Sequence, residues 1–135
     1  MEKNKTICVI DDEDIIQFIV KTIIENINSD IKILAFKNGE EGIESLKALL
    51  ASNNDMPDII LLDINMPVMN GWQFLDEFVK IKSQIAKKIS IYILSSSTAQ
   101  EDKGKASAYK DISGYLNKPI QAETLRKIAL QDYDN

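Results

Sequence analysis

Charged and hydroxyl side chains follow four short apolar segments that are well separated along the sequence. They are Asp11, Asp12 and Glu13 after 6–10, Asp63 after 59–62, Ser95 after 89–94, and Lys118 after 114–116. If the segments are strands of one parallel sheet, their carboxyl ends lie along one edge, where such sheets bind ligands. Carboxylates, a hydroxyl and an amine gathered at that edge could hold Mg²⁺ and a phosphoryl group.

Each of these groups has a simpler explanation when it is taken alone. The acidic run 11–13 could merely begin a helix, because carboxylates favour a helix N-terminus. Ser95 could cap a polar loop, and Lys118 could be a solvated lysine beside a turn proline. Asp63 is harder to explain, since it ends an apolar segment before a loop that needs no carboxylate. Carboxylates clustered in one crevice cost stability unless a cation compensates their charge, and a site open to water and phosphate favours Mg²⁺ over Ca²⁺.

The segments that must position these groups alternate between short apolar runs and amphipathic stretches. Strands are predicted at 6–10, 31–36, 59–62, 89–94 and 114–116, and helices at about 14–27, 40–50, 71–82, 100–109 and 121–130. This alternation predicts right-handed crossovers and a doubly wound α/β fold with a five-stranded parallel sheet. The flavodoxin-like order 2-1-3-4-5 would bring Asp11, Asp12 and Asp63 to the crevice between the first and third strands.

Length and composition limit the possible classes of protein. The chain has 135 residues, 44% hydrophobic and 27% charged, so we expect a single domain over 1–135, with a core at about 5–130 and no separate output domain. The net charge of −5 disfavours direct binding to nucleic acid or to an anionic membrane. No apolar run approaches the roughly 18 residues of a membrane span, so we expect a soluble, cytoplasmic protein without membrane insertion.

Cysteine and histidine usage excludes several chemistries. Cys8 is the only cysteine, so the chain cannot form an intrachain disulfide or a thiolate metal cluster. Its place in the middle of a predicted strand indicates a buried, small apolar side chain. Because the chain has no histidine, it can form neither a His-based triad nor a phosphohistidine of its own.

In this order and spacing, four motifs resemble the CheY-like response regulator receiver domains of two-component systems. They are Ile10-Asp11-Asp12-Glu13, the run 62–67 with Asn70-Gly71, Leu94-Ser95, and the run 114–119 that contains Lys118-Pro119. The resemblance covers about 5–130. Pro119 is also a candidate for a cis peptide bond that aims Lys118 inward, since cis bonds are common only before proline.

The resemblance implies roles for the site residues. Asp63 would be the phosphorylated aspartate, and Lys118 and Ser95 would hold the phosphoryl oxygens. Asp12, Asp63 and the backbone carbonyl of Asn65 would bind Mg²⁺, with Asp11 acting through water. The chain would then be a signalling switch that assists its own phosphorylation and dephosphorylation, rather than an enzyme.

The resemblance also implies a route from the site to a binding surface. Ser95 would move toward the phosphoryl group and Tyr115 would rotate inward. This motion would change the surface made by the fourth predicted helix, the fifth strand and the fifth helix. A downstream protein would read that surface, with the chain as a monomer or as a dimer that depends on phosphorylation.

Helical periodicity in the first predicted helix points to a partner. At about 100° per residue, Phe18 lies opposite the apolar face and Ile15 lies well to its side. Apolar side chains exposed beside a site indicate a protein contact. By resemblance, the partner is a histidine kinase or a phosphotransfer protein, and the candidate contact residues are Ile15, Phe18, Ile19 and Thr22.

Two alternative functions stay open. The chain could be a phosphorelay intermediate that passes the phosphoryl group onward. It could also be a magnesium-dependent phosphatase with an aspartate nucleophile, but such enzymes usually have a second acid two residues later, where this chain has Asn65. A nucleotide-binding protein is disfavoured, because no glycine-rich phosphate loop occurs.

Overall fold

The computed structural model describes residues 5–28, 30–95 and 109–131 of the chain. These residues form five parallel strands and four α-helices, and a short 3₁₀ turn follows the third helix. The elements are β1 (Thr6–Ile10), α1 (Asp14–Ile27), β2 (Lys32–Phe36), α2 (Gly39–Ala51), β3 (Ile59–Asp63), α3 (Gly71–Ile81), the 3₁₀ turn (Lys82–Gln84), β4 (Ser90–Ser95), β5 (Ile112–Asn117) and the C-terminal helix (Ala122–Gln131).

The strands form one sheet in the order β2-β1-β3-β4-β5, and every neighbouring pair is parallel. This confirms the predicted flavodoxin-like α/β fold. β3 lies at the centre, and all five of its residues are buried. Parallel strands that are covered on both faces are expected to be apolar throughout, as β3 is up to Asp63.

The helices bury the two faces of the sheet separately. One face packs Ile10, Ile60 and Leu62 against α2 and α3, with Phe74 fully buried between them. The other face packs alternate strand residues against α1 and the C-terminal helix, with Val20 as a fully buried contact. Because successive strand residues point to opposite faces, each strand serves both cores.

Some element boundaries differ from the predicted ones. β5 is longer than 114–116, because pairing with β4 continues from Ile112 to Asn117. The predicted helix at 100–109 lies outside the described residues except for Tyr109, which is not helical. The ring of Tyr109 stacks on Trp72 at a centroid distance of 5.6 Å, and its hydroxyl donates a 2.9 Å hydrogen bond to Asp76.

Cys8 is fully buried in the sheet, which confirms its predicted place in the core. Burial raises the pKa of its thiol to about 12, so the side chain behaves as an apolar group. None of the described helices is both long and apolar enough to cross a bilayer.

Candidate functional site

Three aspartates meet where β1 and β3 end, as the strand order predicts. Asp11 and Asp12 follow β1, and Asp63 is the last residue of the neighbouring β3. One carboxylate oxygen from each residue lies within 4.8 Å of the others. Asp11 and Asp63 are buried and Asp12 is exposed, so the cluster opens to solvent on the Asp12 side.

Asp11 is fixed in place by the backbone around it. Its amide donates to the carbonyl of Phe36 at 3.0 Å, and its Oδ1 accepts from the amide of Glu13 at 2.9 Å. Its Oδ2 is buried and has no well-aligned hydrogen-bond donor among the described residues, although the Lys118 ammonium lies 2.9 Å away. Burial raises the pKa of Asp11, and the nearby lysine lowers it only in part.

Lys118 brings a positive charge to the cluster from the end of β5. Its Nζ lies 2.9 Å from Oε1 of Glu13, 2.9 Å from Asp11 and 3.5 Å from Oδ1 of Asp63. Burial alone would lower the pKa of Lys118, but contacts with Glu13 and Asp11 outweigh it and raise the pKa, so the ammonium stays charged. The Lys118-Pro119 peptide bond is cis, as predicted.

The carboxyl group of Asp63 has a strongly raised pKa. Burial raises its pKa to about 6, the charge of Asp11 adds to the shift, and Lys118 opposes it. A cation bound beside Asp63 would stabilise the ionised form of its carboxyl group and lower its pKa.

Two residues that sequence reasoning did not assign help to build the site. Glu13 holds the Lys118 ammonium, because its Oε1 accepts a 2.9 Å hydrogen bond from Lys118 Nζ. The side-chain amide of Gln17 donates to the carbonyls of Val9, Asp11 and Phe36 at 3.0–3.2 Å, so it ties α1 to the ends of β1 and β2. No periodicity signal reveals Gln17, because a polar residue near the start of an amphipathic helix is ordinary.

The loop after β3 is shaped by close backbone contacts. A Cβ on Gly71 would lie 2.6 Å from the carbonyl oxygen of Asp63, so only glycine lets α3 begin this close to the site. Asn70 caps α3 in a reciprocal capping box with Gln73. Val68 has a φ of 68° and is 71% exposed, an unusual backbone conformation for a β-branched residue.

The donor set fits a hard divalent cation. The ligand atoms that the three aspartates offer are all carboxylate oxygens, and two of the three carboxyl groups have raised pKa values, which a bound cation would lower. The buried Oδ2 of Asp11, without an aligned donor, is a ready acceptor for a metal-bound water. The cluster could therefore hold Mg²⁺.

The remaining predicted residues lie on the surrounding elements. Asn65 is exposed in the loop after β3. The backbone of Ser95 pairs with Asn117 at the end of β4, and its hydroxyl lies outside the described part of the structure. Tyr115 is on the neighbouring β5 and is 37% exposed.

The first helix has the two-sided character that its spacing predicts. Ile16, Val20 and Ile24 are buried, whereas Ile15 is 57% and Phe18 is 65% exposed. Of the other two predicted contact residues, Thr22 is exposed and Ile19 is half-buried. An apolar surface therefore lies on the helix that begins beside Asp12.

Comparison with protein families identifies the family of the chain. The family described as the response regulator receiver domain matches residues 7–130. The chain belongs to the response regulator receiver domain family. Receiver domains of two-component systems act in phosphorylation-dependent signalling, so this receiver domain is a signalling switch rather than a classical enzyme.

Known proteins resemble this receiver domain over most of its length. It is 39% identical over 123 residues to the nitrate/nitrite response regulator NarL of Escherichia coli K12, a match over 90% of this chain and 51% of NarL. The chain therefore spans about half the length of NarL. It is 32% identical over 98 residues to protein PilH of Pseudomonas aeruginosa, covering 71% and 72% of the two chains.

A solved structure resembles the whole receiver domain. A two-component response regulator from Cytophaga hutchinsonii superposes with a TM-score of 0.84 at 32% identity, over 99% of this chain and all of the other. The fold is therefore that of a receiver domain over the matched length.

Proposed function

We propose that Asp63 accepts a phosphoryl group from the phosphohistidine of a partner histidine kinase or phosphotransfer protein. The observation that carries this proposal is the buried Asp63 carboxylate, which lies in one cluster with Asp11 and Asp12 and 3.5 Å from the Lys118 ammonium. This combination provides a nucleophile, a cation site and a fixed positive charge.

In the proposed transfer, an Asp63 carboxylate oxygen attacks phosphorus. The new O–P bond forms as the P–N bond of the partner's phosphohistidine breaks, and the imidazole nitrogen leaves with the electron pair. Later hydrolysis by water releases inorganic phosphate and restores the carboxylate. Because the transition state is loose, the protein acts mainly by positioning and by neutralising charge.

Asp12, Asp63 and the Asn65 carbonyl would hold Mg²⁺, with Asp11 binding through water. When bound, the ion would neutralise negative charge on the phosphoryl oxygens. The contacts of Asp11 support this role. Its Oδ1 accepts a hydrogen bond from the backbone amide of Glu13, and its Oδ2 lies 2.9 Å from the Lys118 ammonium. Glu13 and Asp11 keep the Lys118 ammonium charged, and it lies beside the position that an oxygen of the transferred phosphoryl group would occupy.

The proposed output depends on Ser95 and Tyr115. Ser95 would donate to the phosphoryl group, and Tyr115 would turn inward. Support comes from the pairing of β4 with β5, which carry these residues on adjacent strands. The changed surface would consist of β5, the C-terminal helix and the predicted helix at 100–109, and a downstream protein would bind it.

The partner kinase or phosphotransfer protein is proposed to dock on the exposed side of α1. Support comes from the exposed side chains of Ile15, Phe18 and Thr22, together with the half-buried Ile19. A docking helix next to the site would bring the phosphohistidine to Asp63.

The experiment is phosphorylation by acetyl phosphate with Mg²⁺, followed by intact-mass measurement. We expect one added phosphoryl group that is stable in acid and labile in base, as an acyl phosphate is. Asp63→Asn should abolish it, and EDTA should suppress it. Asp30→Asn, which removes an exposed carboxylate outside the aspartate cluster, is the matched control and should behave like the wild type.

Two results would overturn the proposal. One is the absence of any adduct in the wild-type chain. The other is an adduct that persists in Asp63→Asn, since the phosphoryl group would then reside elsewhere.

A further inference from the structure

A cavity of about 550 Å³ lies at the opposite edge of the sheet from Asp63. It is formed where β4 and β5 begin, beside the 3₁₀ turn that follows α3. The aspartate cluster lies where β1 and β3 end, so the cavity is separate from the proposed phosphorylation site. Its volume falls within the roughly 300–1,000 Å³ that is usual for small-molecule sites.

One part of the cavity wall is apolar. Phe78 and Ile89 belong to the buried core, and Ile85 and Ile112 pack against that core while remaining partly exposed. These side chains come from α3, the segment before β4 and the start of β5. A flat or branched apolar group could therefore be covered on more than one side.

The other part of the wall is basic. Lys82, Lys87, Lys88 and Lys110 line the cavity, with Asp111 as the single acidic residue. This local excess of positive charge stands out on a chain whose net charge is −5. A basic cavity on an acidic protein concentrates anions from solution.

Two of the four lysines are engaged by carboxylates. Lys82 pairs with Asp111 at 2.5 Å, and Lys87 pairs with Asp58 at 3.1 Å while also donating to the carbonyl of Met56 at 2.9 Å. Lys88 and Lys110 have no ion pair or hydrogen bond with any residue in the described part of the chain. Among the described residues, no carboxylate therefore competes with a ligand for these two charges.

An irregularity in the sheet exposes one more polar group. β4 and β5 pair Ile91 with Ile112 and then Tyr92 with Gly114, so Ser113 has no residue opposite it. This bulge leaves Ser113 exposed at the cavity wall. Bulges of this kind often re-aim a side chain toward a site.

We propose that this cavity binds a small organic anion, with an apolar body against Phe78, Ile89 and Ile112 and an anionic carboxylate or phosphate group at Lys88 and Lys110. The apolar wall accounts for the body, and the ammonium groups of Lys88 and Lys110 account for the charge. Ser113 can donate a further hydrogen bond to the anionic group. The site is built from residues that the phosphorylation chemistry does not use.

The test is an NMR titration of the ¹⁵N-labelled, unphosphorylated chain in EDTA with 1-naphthyl phosphate and, separately, 1-naphthoate. We expect saturable shifts at the amides of 87–89 and 110–113 with at least one of the two anions. Neutral 1-naphthol should bind about tenfold more weakly or worse, the equivalent of one lost charge contact.

Variants separate this site from other binding modes. The double variant Lys88→Glu/Lys110→Glu should lose the shifts, whereas Lys32→Glu/Lys127→Glu, with the same change of net charge at exposed positions elsewhere, should keep them. Asp63→Asn should bind like the wild type, so the result does not depend on the proposed phosphorylation.

Four results would overturn the proposal. The first two are the absence of saturable shifts with both anions and equal affinity for 1-naphthol. The other two are unchanged binding by Lys88→Glu/Lys110→Glu and shifts centred on Lys118 instead of the cavity.

Discussion

The Lys118 ammonium lies 3.5 Å from Oδ1 of Asp63, a longer distance than the 2.9 Å that separates it from both Asp11 and Glu13. A charge-assisted hydrogen bond usually measures about 2.7–2.9 Å, so Lys118 is held beside Asp63 without bonding to it strongly. In the proposed phosphotransfer, the Asp63 oxygen would thus stay available as the nucleophile. The positive charge would nevertheless be close enough to stabilise charge that develops on an incoming phosphoryl group.

The raised pKa of Asp63 predicts how stability depends on pH. Its folded-state pKa of about 6 exceeds its ordinary value of 3.8. Between these values the folded chain keeps a proton that the unfolded chain has released, so this group's contribution to the free energy of unfolding falls as pH rises from about 4 to about 6. Above that range, ionised Asp63 costs about 3 kcal/mol of stability.

Asp63→Asn should remove this cost. Urea unfolding in EDTA should give the variant a stability advantage over the wild type that grows as pH rises from about 4 to about 6 and then levels off. Asp30→Asn should show no such growth. An advantage of Asp63→Asn that is constant across this range would contradict the prediction.

Gln17→Ala should lower the free energy of unfolding by about 1–2 kcal/mol, because backbone carbonyls near the ends of β1 and β2 lose their side-chain donor. Urea unfolding at neutral pH measures the loss. Lys21→Ala, at an exposed position on the same helix, is the control and should change stability by less than about 0.5 kcal/mol. Equal effects of the two substitutions would show that the Gln17 amide contributes nothing specific.

Phe18→Asp should slow phosphotransfer from a histidine kinase or phosphotransfer protein that phosphorylates the wild type. It should not change phosphorylation by acetyl phosphate, since it alters the exposed side of α1 and leaves the aspartates intact. Loss of an apolar anchor typically reduces binding about tenfold or more. Rapid-quench assays with both donors measure the two rates.

Val79→Asp is the matched control, because Val79 is 52% exposed on α3 instead of α1. Its rates should stay near those of the wild type with both donors. Unchanged transfer to Phe18→Asp from the protein donor would refute a docking role for this face.

Val68→Asn should stabilise the fold by about 1 kcal/mol. Val68 has a φ of 68°, which β-branched residues adopt at a cost and asparagine tolerates. Thermal or urea unfolding measures the gain. Val79→Asn replaces an exposed helical valine without relieving such strain, so it should give no comparable gain.

Local patterns were sufficient to predict most of the fold. Hydrophobic periodicity predicted the apolar strand before Asp63, the alternation of strands and helices, and the buried and exposed sides of the first helix. The strand order followed because few topologies suit five parallel strands with right-handed crossovers. The same reasoning brought Asp11, Asp12, Asp63 and Lys118 to one edge of the sheet.

The sequence by itself therefore determined the architecture and the residues at the ends of the strands, because periodicity and strand order act through the backbone. Only the tertiary structure decided that Lys118 bonds to Glu13, that Gln17 joins three carbonyls, and that Lys88 and Lys110 share a cavity. These contacts depend on side-chain conformation, loop paths and a bulge in β5, and no spacing along the chain encodes them.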